Sequence, residues 1–100
     1  MPRYRLLLEY DGRPYVGWQN QANGVSVQEV LEKAIAAVIG ERREVLAAGR
    51  TDAGVHAQGQ VVHVDLPREM AEFAVQRAIN AHLRPNPISV ISAELVADSF

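Results

Sequence analysis

Chemistry-bearing side chains crowd between Gly49 and Gly59, where three glycines share eleven residues with Arg50, Asp52 and His56. Glycine tolerates positive φ and lets a ligand or another backbone approach closely. A carboxylate between Gly49 and Gly54 can therefore sit in a tight loop above a sheet edge, open to a substrate. Arg50 lies two residues before Asp52, so in extended backbone both can share a face. His56 follows four residues later. Spacing alone allows a plainer reading, a decorated hairpin with an Asx turn at Asp52. A second polar stretch, Asp11 to Gly24, contains Tyr15, Gly17, Trp18, Gln19, Asn20 and Gln21. Its fourteen residues are long for a plain connection, and long loops in small domains are usually functional or disordered.

Those segments need a scaffold, and the composition supplies one. A hundred residues, 48% of them hydrophobic, are enough for one domain with one core. Absence of cysteine excludes disulfides and thiolate metal sites; it agrees with a reducing cytoplasm, the expected location. No apolar run reaches membrane-spanning length, and the start Met1-Pro2-Arg3-Tyr4 has no signal-peptide hydrophobic stretch. The net charge of −2 gives no bulk electrostatic case for nucleic acid. Nine of the ten basic residues are nevertheless arginines, whose planar fork suits phosphates and bases.

Periodicity predicts the elements. Arg3 to Tyr10 alternates as a strand, with Tyr4, Leu6, Leu8 and Tyr10 on one face. Ser26 and Glu29 form a capping box and Val25 and Val30 a hydrophobic staple. Val27, Val30, Leu31, Ala34, Ile35, Val38 and Ile39 then recur at helical spacing, and Gly40 stops that helix. The helix reads as scaffold with no direct chemistry. Val45 to Ala48 and Gln60 to Asp65 read as strands. Pro67 opens a second helix to about Leu83, with Ala71, Ala74, Val75, Ala78 and Ile79 as its buried stripe, ended by Pro85 and Pro87. Ile88 to Ala97 is the last strand, its alternation blurred by Ser89 and Ser92. The order βαββαβ predicts an α+β, ferredoxin-like fold: a four-stranded antiparallel sheet with two helices on one face.

The nine successive residues Gly49-Arg50-Thr51-Asp52-Ala53-Gly54-Val55-His56-Ala57 resemble the signature of the tRNA pseudouridine synthase A family. Glu9-Tyr10-Asp11-Gly12, Gly17-Trp18-Gln19, Ser26-Val27-Gln28, Gly59-Gln60-Val61 and Asn80-Ala81 with Leu83 and Pro85 agree in the same order. Arg84 departs from the pattern by interrupting the usual Leu-Pro pair. Asp98-Ser99-Phe100 resembles the junction into the family's second half, so residues 1–100 are expected to be the amino-terminal half of the catalytic domain.

The resemblance implies an isomerase that converts uridine to pseudouridine in the anticodon arm of tRNA, without metal or other cofactor, as a homodimer. It implies Asp52 as the nucleophile, attacking either the uracil ring or the sugar C1′. Such a carboxylate must be ionised, which a nearby cation favours. Arg50 could supply that field, although the resemblance assigns it to the vacancy left by the flipped base or to the RNA backbone. Extruding a stacked uridine costs a few kcal/mol, offset by stacking and hydrogen bonds. Tyr15, Trp18, Gln19, Gln21 and His56 are candidates for those contacts, with loop anchoring as the plain reading of Trp18 and a structural hydrogen bond that of His56. His63 and His82 are read as structural or exposed. The family's second half supplies an active-site tyrosine and basic residues, so the isolated chain is expected to fold marginally, to expose apolar surface and to have little activity. Two rivals remain at this point. A metal phosphoesterase could use Asp52, His56, His63 and Asp65, though no standard ligand motif is present. A non-catalytic RNA- or ligand-binding module shares the fold, but RNA-binding sheets of this topology carry stacking aromatics on their central strands, and Val45–Ala48 and Gln60–Asp65 have none.

Overall fold

Strict alternation makes the central strand, β1 (Arg3–Tyr10), two-faced: Tyr4, Leu6, Leu8 and Tyr10 are buried, and Arg3, Arg5 and Leu7 between them are half-exposed. A computed structural model describes residues 1–11, 24–47 and 57–97, with backbone alone for 57–59. The remaining elements are α1 (Val27–Ile39), β2 (Leu46–Ala47), β3 (Ala57–Asp65), α2 (Glu72–Leu83) and β4 (Ile88–Val96). The four strands pair antiparallel in the order β2-β3-β1-β4. One face of the sheet and both helices share a single core, in which Val27, Leu31, Ala34 and Ile35 of α1 and Val75, Ile79 and Leu83 of α2 are buried. The α+β, βαββαβ expectation holds.

Local signals set the ends of α1. Ser26, in extended backbone, accepts a hydrogen bond from the Glu29 N–H at 3.0 Å, which satisfies one donor that the first turn leaves without a helical partner. Gly40 takes the left-handed conformation (φ 82°) and donates its N–H to the Ala36 carbonyl at 2.8 Å. Val25 is 47% exposed, so the staple expected of it with Val30 buries little.

The second helix begins later than Pro67. The buried Tyr4 hydroxyl donates to the Met70 carbonyl and accepts the Met70 N–H at 2.7 Å, while the Leu66 N–H bonds the Pro2 carbonyl. Residues 66–70 are thus tied to β1 and its approach, and α2 opens only at Glu72. Val75, Ile79 and Leu83 carry its burial, Ala74 and Ala78 are half-buried, and Ala71 is exposed. The strands also differ at their starts: β2 begins at Leu46 rather than Val45, Ala48 lying outside the described residues, and β3 starts at Ala57 rather than Gln60.

The blurred alternation of β4 has a physical cause. Leu7 pairs with Ser92 and Leu8 with Val90, so Ile91 is an extra residue, a β-bulge. Ile88 and Val90 are buried before it, whereas Ala93 is the residue that packs on the core after it. The bulge shifts the alternation by one position, as a one-residue slip must.

Candidate active site

Trp18, Gln19 and Gln21, like Tyr15, lie outside the described residues, and so do Arg50, Asp52 and His56. What the structure describes is the frame from which their two segments hang. β1 ends at Tyr10, paired with Ala57 on one side and Ile88 on the other. Asp11 continues it, donating its N–H to the Pro87 carbonyl at 3.1 Å. The polar segment 12–23 therefore leaves the sheet beside the point where the segment 48–56 returns to it. Directly paired antiparallel residues have Cα atoms about 5 Å apart, so the two segments have neighbouring roots.

A second bulge adjusts that junction. Leu8 pairs with Gln60 and Glu9 with Gln58, which makes Gly59 an extra residue in β3. Without it Tyr10 would face Gln58, and the signature segment would join the sheet one position away. Both bulges flank the same short stretch of β1, Leu7 to Glu9. Bulges bend strands, increase their twist and gather near active sites. Gly59 thus has a structural use that the sequence suggested only as glycine permissiveness.

The start of β2 is held by a polar group that the sequence reading missed. Glu32, 4% exposed on α1, accepts the Val45 N–H at 2.9 Å. Gln28, one helical turn earlier, donates from the same nitrogen to Glu32 at 3.0 Å and to the Val45 carbonyl at 3.1 Å. Arg42 reaches the other Glu32 oxygen through Nη2 at 3.1 Å and Nε at 3.4 Å. Val45 itself is wholly buried, so its N–H and carbonyl need such partners. The available signal was a polar pair at i and i+4 beside the apolar stripe, which reads ordinarily as a solvated face.

The sheet face away from the helices mixes charged residues with Leu7, Leu46 and Val61 and lacks aromatics among its described side chains. Arg5 pairs with His63 and Glu94 across the strands, and Arg3 with Asp65. Arg3 grips Asp65 through two hydrogen bonds of 2.8 and 3.1 Å. That contact, with a smaller contribution from the guanidinium charge, holds the Asp65 carboxyl below its ordinary value of 3.8. Arg3, Arg43, Glu44, His63 and Asp65 line a cavity of about 200 Å³ there. It adjoins Asp65, eight strand steps of about 3.3 Å from Ala57 where the signature segment returns to the sheet, and it reaches Leu46 of β2, from which that segment departs. The tyrosines of β1 are buried on the helix side. Among the described residues no three His, Asp or Glu side chains are grouped to hold a metal ion, and no helix is long and apolar enough to cross a membrane. His82 is exposed on α2.

The fold is that of an α+β domain which suspends two polar segments from one end of a ferredoxin-like sheet. Residues 7–99 match the family described as tRNA pseudouridine synthase. The whole chain is 59% identical to a tRNA pseudouridine synthase A of Afipia carboxidovorans, of which it covers 41%. It is 55% identical to that of Parvibaculum lavamentivorans and 57% identical to that of Paramagnetospirillum magneticum, covering 41% and 39% of them. The chain belongs to the tRNA pseudouridine synthase family. It spans about two fifths of the length of these curated relatives and corresponds to their amino-terminal part.

Proposed function

We propose that the protein to which this chain belongs isomerises uridine to pseudouridine in the anticodon arm of tRNA, with Asp52 as nucleophile. One observation carries the reading: an unbroken nine-residue signature, Gly49 to Ala57, within a family match that runs almost the length of the chain. The reaction is an isomerisation. Asp52 attacks the uracil ring or C1′, and the bond from N1 to C1′ breaks. The base turns in place, C5 bonds to C1′, the bond to Asp52 breaks and frees its carboxylate, C5 gives up its proton, and N1 gains one. No atom is gained or lost, so the chemistry calls for no redox partner and no nucleotide.

Asp52 must be ionised to attack, and Arg50 is the nearest cation in sequence. We assign Arg50 to the flipped-base vacancy or the RNA backbone, where a planar fork can stack and bond at once. Trp18, Gln19, Gln21 and His56 are assigned to the RNA. The neighbouring roots of segments 12–23 and 48–56 support their acting on one nucleotide. We further propose a cytoplasmic homodimer, with the remaining three fifths of the length supplying groups that the reaction also needs.

The test is tritium release from C5-labelled uridine in tRNA by the full-length protein, its Asp52→Asn variant and the isolated chain. The expected result is turnover by the wild type, none detectable for Asp52→Asn, and little or none for residues 1–100 alone. Turnover by Asp52→Asn at the wild-type rate overturns the assignment.

A further inference from the structure

β2, of which Leu46 and Ala47 are described, leads into the signature segment. Two residues, Leu46 and Ala47, pair with His63 and Val62. A slip of one residue in the register of this pairing would reverse every side chain that follows. Val45, the residue before it, is instead fixed from α1. Its N–H goes to Glu32 and its carbonyl receives Gln28, a pairing that imitates a neighbouring strand.

The pairing is closed on all sides. One Glu32 oxygen accepts from Val45 and Gln28, and the other accepts twice from Arg42. The Gln28 amide nitrogen has two acceptors, Glu32 and the Val45 carbonyl, so its orientation is determined. Gln28 and Glu32 are 6% and 4% exposed, and the backbone groups they bond belong to a wholly buried residue. Two buried polar residues that bond one backbone position, seven residues before Asp52, have a use that core packing does not require.

We propose that Gln28 and Glu32 are positioning residues for the reaction, setting the register and height at which the chain enters the Asp52 segment through Val45. This rests on the assignment of Asp52 above. It also gives a use to the Gln28 of the Ser26-Val27-Gln28 stretch, which capping leaves idle. Reacting groups misplaced by 1 Å can lose about 100-fold in rate, so a loosened Val45 acts on turnover more than on tRNA affinity.

The experiment compares full-length variants by kcat and KM for tRNA, with amide hydrogen exchange across residues 46–57 as a second readout. Gln28→Leu and Glu32→Leu are expected to lower kcat about 10- to 100-fold with KM within about twofold, and to speed exchange in 46–57. Glu32→Gln keeps an acceptor for the Val45 N–H and should recover most of the turnover. Arg42→Gln leaves both bonds to Val45 and should stay near wild type. Ile35→Val, a buried change on the same helix away from Val45, controls for lost stability. Loss of kcat in Gln28→Leu no greater than in Ile35→Val, or a rise in KM with kcat unchanged, overturns the proposal. If Glu32→Leu does not fold, Gln28→Leu and Glu32→Gln still decide. Were the wild type inactive, or Asp52→Asn active, the assignment of Asp52 would fall, whereas the exchange rates would still report whether Gln28 and Glu32 fix this entry.

Discussion

The two outer strands of this sheet are both held by polar side chains from a helix, but they are held differently. On the β4 side, Glu72, Gln76 and Asn80 stand one turn apart along α2 and bond the strand backbone at Leu95, Ile91 and Val90. These bonds are spread along a nine-residue strand, and two of them are exposed. On the β2 side, Gln28 and Glu32, the latter also held by Arg42, converge at a single buried residue, Val45, beside the described residues of β2. A column of polar side chains that bonds the backbone of a long edge strand discourages pairing with other chains. A closed network at one point fixes a position. The first arrangement guards an edge, and the second holds the root of the segment that carries Asp52.

Removing the buried carboxylate is the largest test of that contrast. Glu32→Leu strips the acceptor from the buried Val45 N–H and from Arg42, though Arg42 is half exposed and can turn to water. A loss of about 2–3 kcal/mol in unfolding free energy is expected, below the full cost of orphaning a buried ion pair. Urea denaturation of the full-length protein measures it, and a loss under about 0.5 kcal/mol would show that the network carries no weight. Asn80→Ala is the matching change on the other edge. It removes the acceptor of the Val90 N–H, while Gln76 still donates to the Val90 carbonyl. About 1–2 kcal/mol of stability should go, with kcat unchanged. Equal losses of kcat in the two variants would erase the distinction between guarding and positioning.

Why the ends of α1 could be read from sequence and the two sheet edges could not follows from chain distance. Ser26 caps its helix and Gly40 ends it through bonds three or four residues long, so residue type and spacing suffice. The βαββαβ order follows likewise from alternation and helical period. Tyr4 and Met70, 66 residues apart, meet only in the folded chain, and their bonds delay α2 against the signal of Pro67. The bulges at Gly59 and Ile91 are defined by a partner strand, which no single segment displays. Glu32 and Gln28 look like surface residues until Val45 is set beside them. The candidate chemistry was legible in another way. Residue types around Asp52 left a decorated hairpin and a nucleophile both open, and the resemblance to the family is what favours the nucleophile proposed above. The roles of Arg50, Trp18, Gln19, Gln21 and His56 still rest on residue type and family.

The smallest expected effect belongs to a pair that holds neither edge. Arg3 and Asp65 face each other across β1 and β3 on the open sheet face, with side chains 20% and 37% exposed. Water screens such a pair, so it should contribute about 0.5 kcal/mol or less despite its two hydrogen bonds. Its pH dependence has a definite sign. The folded carboxyl is held below the ordinary 3.8, so the folded state binds a proton less readily than the unfolded one. The stabilisation is complete above the ordinary value, declines as pH falls between that and the folded value, and is gone below both. Asp65→Asn should therefore differ from wild type by a constant small amount at neutral and mildly acidic pH, and the two should converge below about pH 4. A difference that grew on acidification would give the interaction the opposite sign. One as large as that of Glu32→Leu would mean that exposed and buried carboxylates are worth the same here, and the contrast between this face and the root of β2 would lose its physical basis.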